Sequence, residues 1–281
     1  MNEHSLKSQI KNIAIEKKIN STDCWKMLFL ERFLSRLSRS DYNDKLIFKG
    51  GFLLSYIIQL GRETSDLDFT LKKMHGSEEN IKNAMDKICS IQSEDGFSFK
   101  YAGQETLGHP HGYDGCRINL SVMFGNLKEK IEIDISIGDV VHPIAREFNL
   151  FQYRGKPMFE DEISLMVYPV ETIFAEKLDA ILCKGENNTR MKDYHDLFLI
   201  IRESYIIDHK KLKECIKNTF SHRKTTFKFI EFSPKGLFSL ERLWNSHLKN
   251  IINSPQYMNM PQKIQDVIET INIFTKQLDL A

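Results

Sequence analysis

The segment Ser65-Asp66-Leu67-Asp68-Phe69, set behind Lys49-Gly50-Gly51, restricts this chain more than any other stretch. Two aspartates separated by one apolar residue share a face of a β-strand, because strand side chains alternate with period two. Their Cα atoms then lie about 6.5–7 Å apart. That spacing suits two hard carboxylates converging on Mg²⁺, which takes oxygen ligands and bridges to phosphate. A Gly-Gly turn upstream lets a phosphate approach backbone N–H groups. The combination points to phosphoryl or nucleotidyl transfer.

Composition narrows the setting. The 281 residues suffice for one large domain or two modest ones, and a 41% hydrophobic share supplies a core. Charge is nearly balanced, 39 Lys+Arg against 38 Asp+Glu, so any nucleic-acid contact must be a local patch. Cys24, Cys89, Cys116, Cys183 and Cys215 are scattered and form no CxxC pair. That disfavours a disulfide framework or a zinc site and fits a reducing cytoplasm. No long apolar run occurs, at the N-terminus or elsewhere, so neither secretion nor membrane spanning is expected.

Periodicity divides the chain. Helical patterns cover 3–17, with Leu6, Ile10 and Ile13 on one side, and the stretch from Trp25 to Ser40 behind a Ser21-Thr22-Asp23 cap. Leu46-Ile47-Phe48 reads as a buried strand stopped by the glycines, and Phe52 to Leu60 as a helix. Strands are expected at 66–71, 97–101, 116–123 and 130–136, and a helix at 78–91. In the last strand Ile131, Ile133 and Ile135 face one way and Glu132, Asp134 and Ser136 the other. Beyond about residue 160 the patterns are helical: 170–182, 191–201, 209–219, 237–252 and 262–277. The reading is an α+β domain over 1–160 and a helical domain over 161–281, with the boundary near 150–165.

Asp66 and Asp68 are the first metal-ligand candidates, flanked by Arg62, Thr64 and Ser65 as phosphate contacts. Asp134 is the candidate third carboxylate, with Glu132 the competing choice and a solvated edge strand the alternative. The glycines fit neither GxxxxGK[ST] nor GxGxxG, which leaves backbone amides at a helix start. Lys177 sits on one helix, and Asp193 and Asp196, three apart, share a face of the next. The short 185–189 connection makes these helices antiparallel neighbours, so Lys177 can approach Asp193. Two weaker signals remain. His109-Pro110-His111 reads as a turn or a metal site. His222, Arg223, Lys224, Lys228 and Lys235 with Phe227 and Phe229 read as a solvated basic surface or an RNA contact.

The order Phe48-Lys49-Gly50-Gly51, Arg62-x-Thr-Ser65-Asp66-Leu67-Asp68-Phe69, Ile133-Asp134-Ile135, Ala175-Glu176-Lys177-Leu178-x-Ala180 and Arg190-x-Lys192-Asp193-x-x-Asp196-Leu197 resembles the AbiEii-type nucleotidyltransferase toxins. These are a branch of the DNA polymerase β-like nucleotidyltransferase fold. The resemblance implies a mixed sheet with flanking helices followed by a mostly helical C-terminal domain. It implies a toxin of a bacterial toxin–antitoxin or abortive-infection pair that uses an NTP and Mg²⁺, with the tRNA 3′ end as an acceptor in some members. Asp66, Asp68 and Asp134 are then metal ligands, and they are catalytic together with Lys177 and Asp193, the latter required for activity. Lys49, Gly50, Gly51, Arg62, Ser65, Lys177 and Asp196 serve nucleotide and phosphate. One position departs: many members carry Thr after the glycines, where this chain has Phe52. Competing readings are nucleotide transfer to a small molecule such as an aminoglycoside, and a silent nucleotide-binding module.

Overall fold

The computed structural model describes residues 3–17, 19–64, 66–108, 114–148, 151–159 and 162–280. In chain order the first elements are α1 (Glu3–Lys17), α2 (Ser21–Ser38), β1 (Leu46–Lys49), α3 (Gly50–Ile57), β2 (Leu67–Leu71) and α4 (Glu78–Ser90). Strands follow: β3 (Phe97–Gly108), β4 (Asp114–Phe124), β5 (Leu127–Ile137), β6 (Ile144–Phe148), β7 (Gln152–Tyr153), β8 (Lys156–Pro157) and β9 (Ile163–Val167). The rest is helical: α5 (Val170–Lys184), α6 (Met191–Arg202), α7 (His209–Arg223), α8 (Pro234–Asn250) and α9 (Ile264–Gln277). None of the described helices is long and apolar enough to cross a membrane.

The chain divides into two compact units, Met1–Tyr56 with Glu63–Tyr168, and Ile57–Arg62 with Pro169–Ala281. The first holds a seven-stranded mixed sheet in the order β3-β4-β5-β2-β1-β9-β6. β2 runs antiparallel to β1 and parallel to β5, and β1 runs parallel to β9. One face is apolar by alternation. Val167, Phe48, Phe69, Ile135 and Cys116 are successive cross-strand partners, and all are buried. Phe48 touches the rings of Phe52, Phe69 and Phe148, with centroids 5.5–6.3 Å apart.

Several boundaries differ from the sequence pattern. The cap of α2 is Asn20, whose side chain accepts from the Thr22 N–H, because the helix already begins at Ser21. α3 starts at Gly50 itself and stops at Ile57. β3 and β4 run well past their apolar cores, because each finds backbone partners in a long hairpin irrespective of hydropathy. β6 and β9, which extend the sheet beyond β1, carry too short an apolar alternation to stand out.

A buried ion network braces α2. Arg36 forks onto Asp95 at 2.8 and 2.9 Å and donates to the Phe97 carbonyl at 2.6 Å. Arg32 pairs with Glu31 at 3.1 Å and lies over the Phe159 ring, and Glu31 accepts the Phe151 N–H at 2.7 Å. Breaking such a pair leaves a buried charge without compensation. Asp95→Ala is therefore expected to lower stability by about 3–5 kcal/mol in urea unfolding; a loss under about 1 kcal/mol would mean that water reaches Arg36.

Candidate functional site

Four adjacent strands of the sheet contribute to a polar row on the face opposite the apolar one. Lys49 pairs with Asp68, Asp68 with Asp134, and Asp134 with Arg117. The row crosses β1, β2, β5 and β4 and reads cation, anion, anion, cation. Asp66 lies just ahead of β2. Carboxylate oxygens of Asp66, Asp68 and Asp134 all lie within 4.8 Å of one another, and the three side chains are half-buried. Two charges at 4 Å repel by about 1 kcal/mol in water and about 4 kcal/mol at an effective dielectric of 20. Such a cluster needs cations.

The donor set fits a divalent ion. All three ligands are hard oxygens, the type that Mg²⁺ takes. Arg117 already stands in as positive charge on one side: Nε reaches Asp134 Oδ1 at 2.8 Å and a terminal nitrogen reaches Oδ2 at 2.9 Å. That fork, with Glu132 3.1 Å from a terminal nitrogen of Arg117, raises the guanidinium further above its ordinary range, Asp134 contributing most. Glu132 is thus on the same strand but outside the acidic triad.

Gly50 is shaped to this cluster. Its φ is +78°, and a Cβ built there would lie 1.9 Å from Asp68 Oδ2. Any other residue would clash with the carboxylate and adopt a strained backbone. Gly50 also opens α3, whose first N–H groups have no acceptor within the helix. Phe52 turns its ring into the core beside Phe48 and Tyr56, so position 52 gives the turn no side chain. Ser65, His109 and His111 lie outside the described residues.

Arg117 and a buried Asp139 are not among the sequence candidates. A signal existed for Arg117. Gly125-Asn126 is a two-residue hairpin connection, and counting back from it sets Arg117 opposite Asp134. For Asp139 only Ser136 is near in sequence, and its other partners Lys49, Thr70 and Tyr168 are far away.

The second unit holds the other candidates. Lys177 Nζ lies 3.1 Å from Asp193 Oδ1 and 2.8 Å from Asp196 Oδ2. Arg62 forks onto Asp196 with two contacts of 2.6 Å. Burial works against the charged form of both Lys177 and Asp196. Their opposite charges prevail: Asp196 and Asp193 hold Lys177 above its ordinary range, and Arg62 and Lys177 hold Asp196 far below the usual carboxylate range. Asp193 Oδ2 is buried without a hydrogen bond, and the exposed Arg190 stands 3.3 Å away.

A histidine pair fixes the same segment. His195 Nε2 lies 2.8 Å from the Leu60 carbonyl, so that nitrogen carries the proton, and Nδ1 is left to accept from His247 Nε2 at 2.9 Å. Burial lowers both rings, with His247 brought down to about 4 by burial first and then by His195 and Arg62.

The model of the family described as "Nucleotidyl transferase AbiEii toxin, Type IV TA system" matches residues 32–269. A solved structure from H. pylori assigned as a nucleotidyltransferase is similar over 92% of this chain and 96% of its own, at 13% identity and a TM-score of 0.46. JHP933 from Helicobacter pylori is similar over 89% of this chain and 88% of its own, at 13% identity and a TM-score of 0.43. No curated protein matches the chain.

Two outcomes follow from the second unit's geometry. Asp196→Asn leaves Arg62 and Lys177 short of a buried negative charge and should cost about 3–5 kcal/mol in urea unfolding. Asp193→Asn should cost clearly less, because Lys177 keeps Asp196; equal losses would contradict this division. The second outcome concerns acid. Both histidines have folded values below their unfolded value near 6.5, so their contribution is complete above that pH. It is lost as pH falls from about 6.5 toward about 4, the His247 value. His247→Gln should flatten the melting temperature against pH over that window, and an unchanged slope would exclude the pair as its source.

Proposed function

The chain belongs to the AbiEii family of nucleotidyltransferase toxins of type IV toxin–antitoxin systems, and we propose that it moves a nucleotide from an NTP to RNA such as the tRNA 3′ end, with Mg²⁺ held by Asp66, Asp68 and Asp134. Family membership makes it a nucleotidyltransferase toxin with a cognate antitoxin. The observation that carries the finer reading is the three carboxylates within 4.8 Å, set against the Gly50 turn.

A bound divalent ion would neutralise the triphosphate and stabilise charge on the attacking and leaving oxygens. The protein's own residues do the rest. Asp66 and Asp68 supply ligand oxygens from one strand edge. Asp134 is held in alignment by the Arg117 fork and would accept the proton of the attacking hydroxyl. Backbone N–H groups at Gly50 and Gly51 would receive phosphate oxygens, a role that does not need the hydroxyl missing at Phe52. Lys177 is assigned to phosphate charge and Asp193 to holding it, while Asp196 and Arg62, tied to each other, act as positioning residues. Lys49 and Ser65 are assigned to phosphate as well. NTPs and tRNA place the reaction in the cytoplasm.

The test is incubation of the purified protein with Mg²⁺, each labelled NTP and total RNA. Label should enter RNA, and chelation of the metal should abolish it. Asp68→Asn should lower transfer on the order of 10²–10³-fold with an unchanged melting temperature. Label appearing only on an added aminoglycoside would redirect the acceptor. Absence of transfer from folded protein with every NTP and RNA fraction would sink the reading.

A further inference from the structure

Between Lys217 and Lys235 the chain carries Lys217, Arg223, Lys224, Lys228 and Lys235 against one acid, Glu231. The whole stretch lies in the second unit. Arg223 is engaged inside the protein, 3.1 Å from Glu176 and from Asp179. The four lysines are exposed, and among the described residues none of their ammonium groups has a hydrogen-bond or ion-pair partner. Lys217 and Lys224 are about two helical turns apart and so stand on one side of the end of α7. Solvated lysines alone identify no ligand; the segment beside them does.

That segment is pinned at both ends. Lys224 ends α7 in the left-handed region, at a φ of 54°, and the Thr225 N–H returns to the Phe220 carbonyl at 2.9 Å. At the far end the Ile230 N–H and carbonyl each bond to the Asn272 side-chain amide of α9, both at 2.9 Å. Between these anchors residues 226–229 make no hydrogen bond among the described residues. A row of rings runs outward along the same stretch. Phe220 is buried, Phe227 lies 6.2 Å from it, and Phe229 lies 5.7 Å beyond, edge to face and 43% exposed. An aromatic supported from the core is thus held at the surface next to Lys228. Lysines neutralise phosphates of any sequence, and an exposed ring stacks on a base that is not already paired. A duplex hides its base faces, so the ring selects a single strand. The open backbone of 226–229 could also pair with a strand of another protein, but four unpartnered lysines against one acid favour a polyanion. We propose that Lys217, Lys224, Lys228 and Phe229 form a contact surface for single-stranded RNA, with the lysines on phosphates and Phe229 stacked on a base. The inference rests on the reading of RNA as the acceptor. It assigns none of these residues to the transfer step.

The test is fluorescence anisotropy of a labelled single-stranded RNA of mixed sequence, and of the same RNA as a duplex, titrated with the full chain over a range of salt. NTP and divalent ions are left out, so that binding is read apart from transfer. Phe229→Ala should weaken binding of the single strand about ten-fold and leave the salt dependence unchanged. Lys224→Ala and Lys228→Ala should each lower the slope of log K against log salt by about 0.7. Phe229→Trp should bind at least as well as the wild type, and Phe229→Leu should lose nearly as much as Phe229→Ala, because stacking needs a ring. A Phe229→Leu protein that binds like the wild type, or a duplex bound as tightly as the single strand, would overturn the stacking role. RNA binding that none of these substitutions alters, as expected were residues 226–229 the seat of a protein strand, would overturn the surface and leave RNA as the acceptor standing. A wild type that binds no RNA would remove both. Melting temperatures establish that each variant folds, and the lysine slopes decide the matter should Phe229→Ala not fold.

Discussion

Asp68 and Asp134 occupy facing positions on adjacent parallel strands, with Asp66 beside them, and nothing in sheet geometry relieves their repulsion. Strand side chains cannot turn away from a neighbour at the same register without leaving the face. The surroundings instead bring cations to both ends of the row, Lys49 on β1 and Arg117 on β4. These two are not equivalent. Arg117 is forked onto Asp134 itself, while the Lys49 ammonium is bound by a carboxylate outside the triad. The row thus carries a cation at each end of three clustered carboxylates, a donor set that could hold a divalent ion.

The second unit solves a related problem in the opposite way. Asp196 and Asp193 are buried on α6, where a carboxylate without partners is costly. Arg62 and Lys177 satisfy them by direct contact, so the cluster is close to neutral. Because Arg62 and the Leu60 carbonyl both bond to α6, residues 57–62 fold with the helices although the chain before and after them belongs to the sheet unit. The polar groups on α6 thus set the architecture as well as a candidate chemistry.

Strand alternation made much of this visible in the sequence. The Ile131-Ile133-Ile135 rhythm put Asp134 on the polar face, where it stands, and the DxD spacing put Asp66 and Asp68 near each other. The approach of Lys177 to Asp193 followed from the short 185–189 connection. The sequence presents Arg62 as a loop cation near phosphate; its partner Asp196 is 134 residues away, and no local pattern announces a buried fork. Asp139 was missed for the same reason: its donors converge only once β1, β2 and β5 are side by side. The long extensions of β3 and β4 escaped because backbone pairing in a hairpin does not require apolar residues.

Gly50 shows why the turn and the acidic pair are best treated as one object. Its positive φ sends the chain from β1 into α3, and its missing Cβ leaves the space that Asp68 fills. A larger residue would disturb the turn's backbone and the Asp68 carboxylate together. Position 52 shows the complement. A hydroxyl there would hang from the first turn of α3, whereas Phe52 is committed to the aromatic core with Phe48 and Tyr56. The turn is therefore held from below by packing and from above by the Asp68 carboxylate. The first turn of α3 presents backbone N–H groups whatever side chain follows, so the Thr-to-Phe departure at position 52 leaves that feature of the turn unchanged.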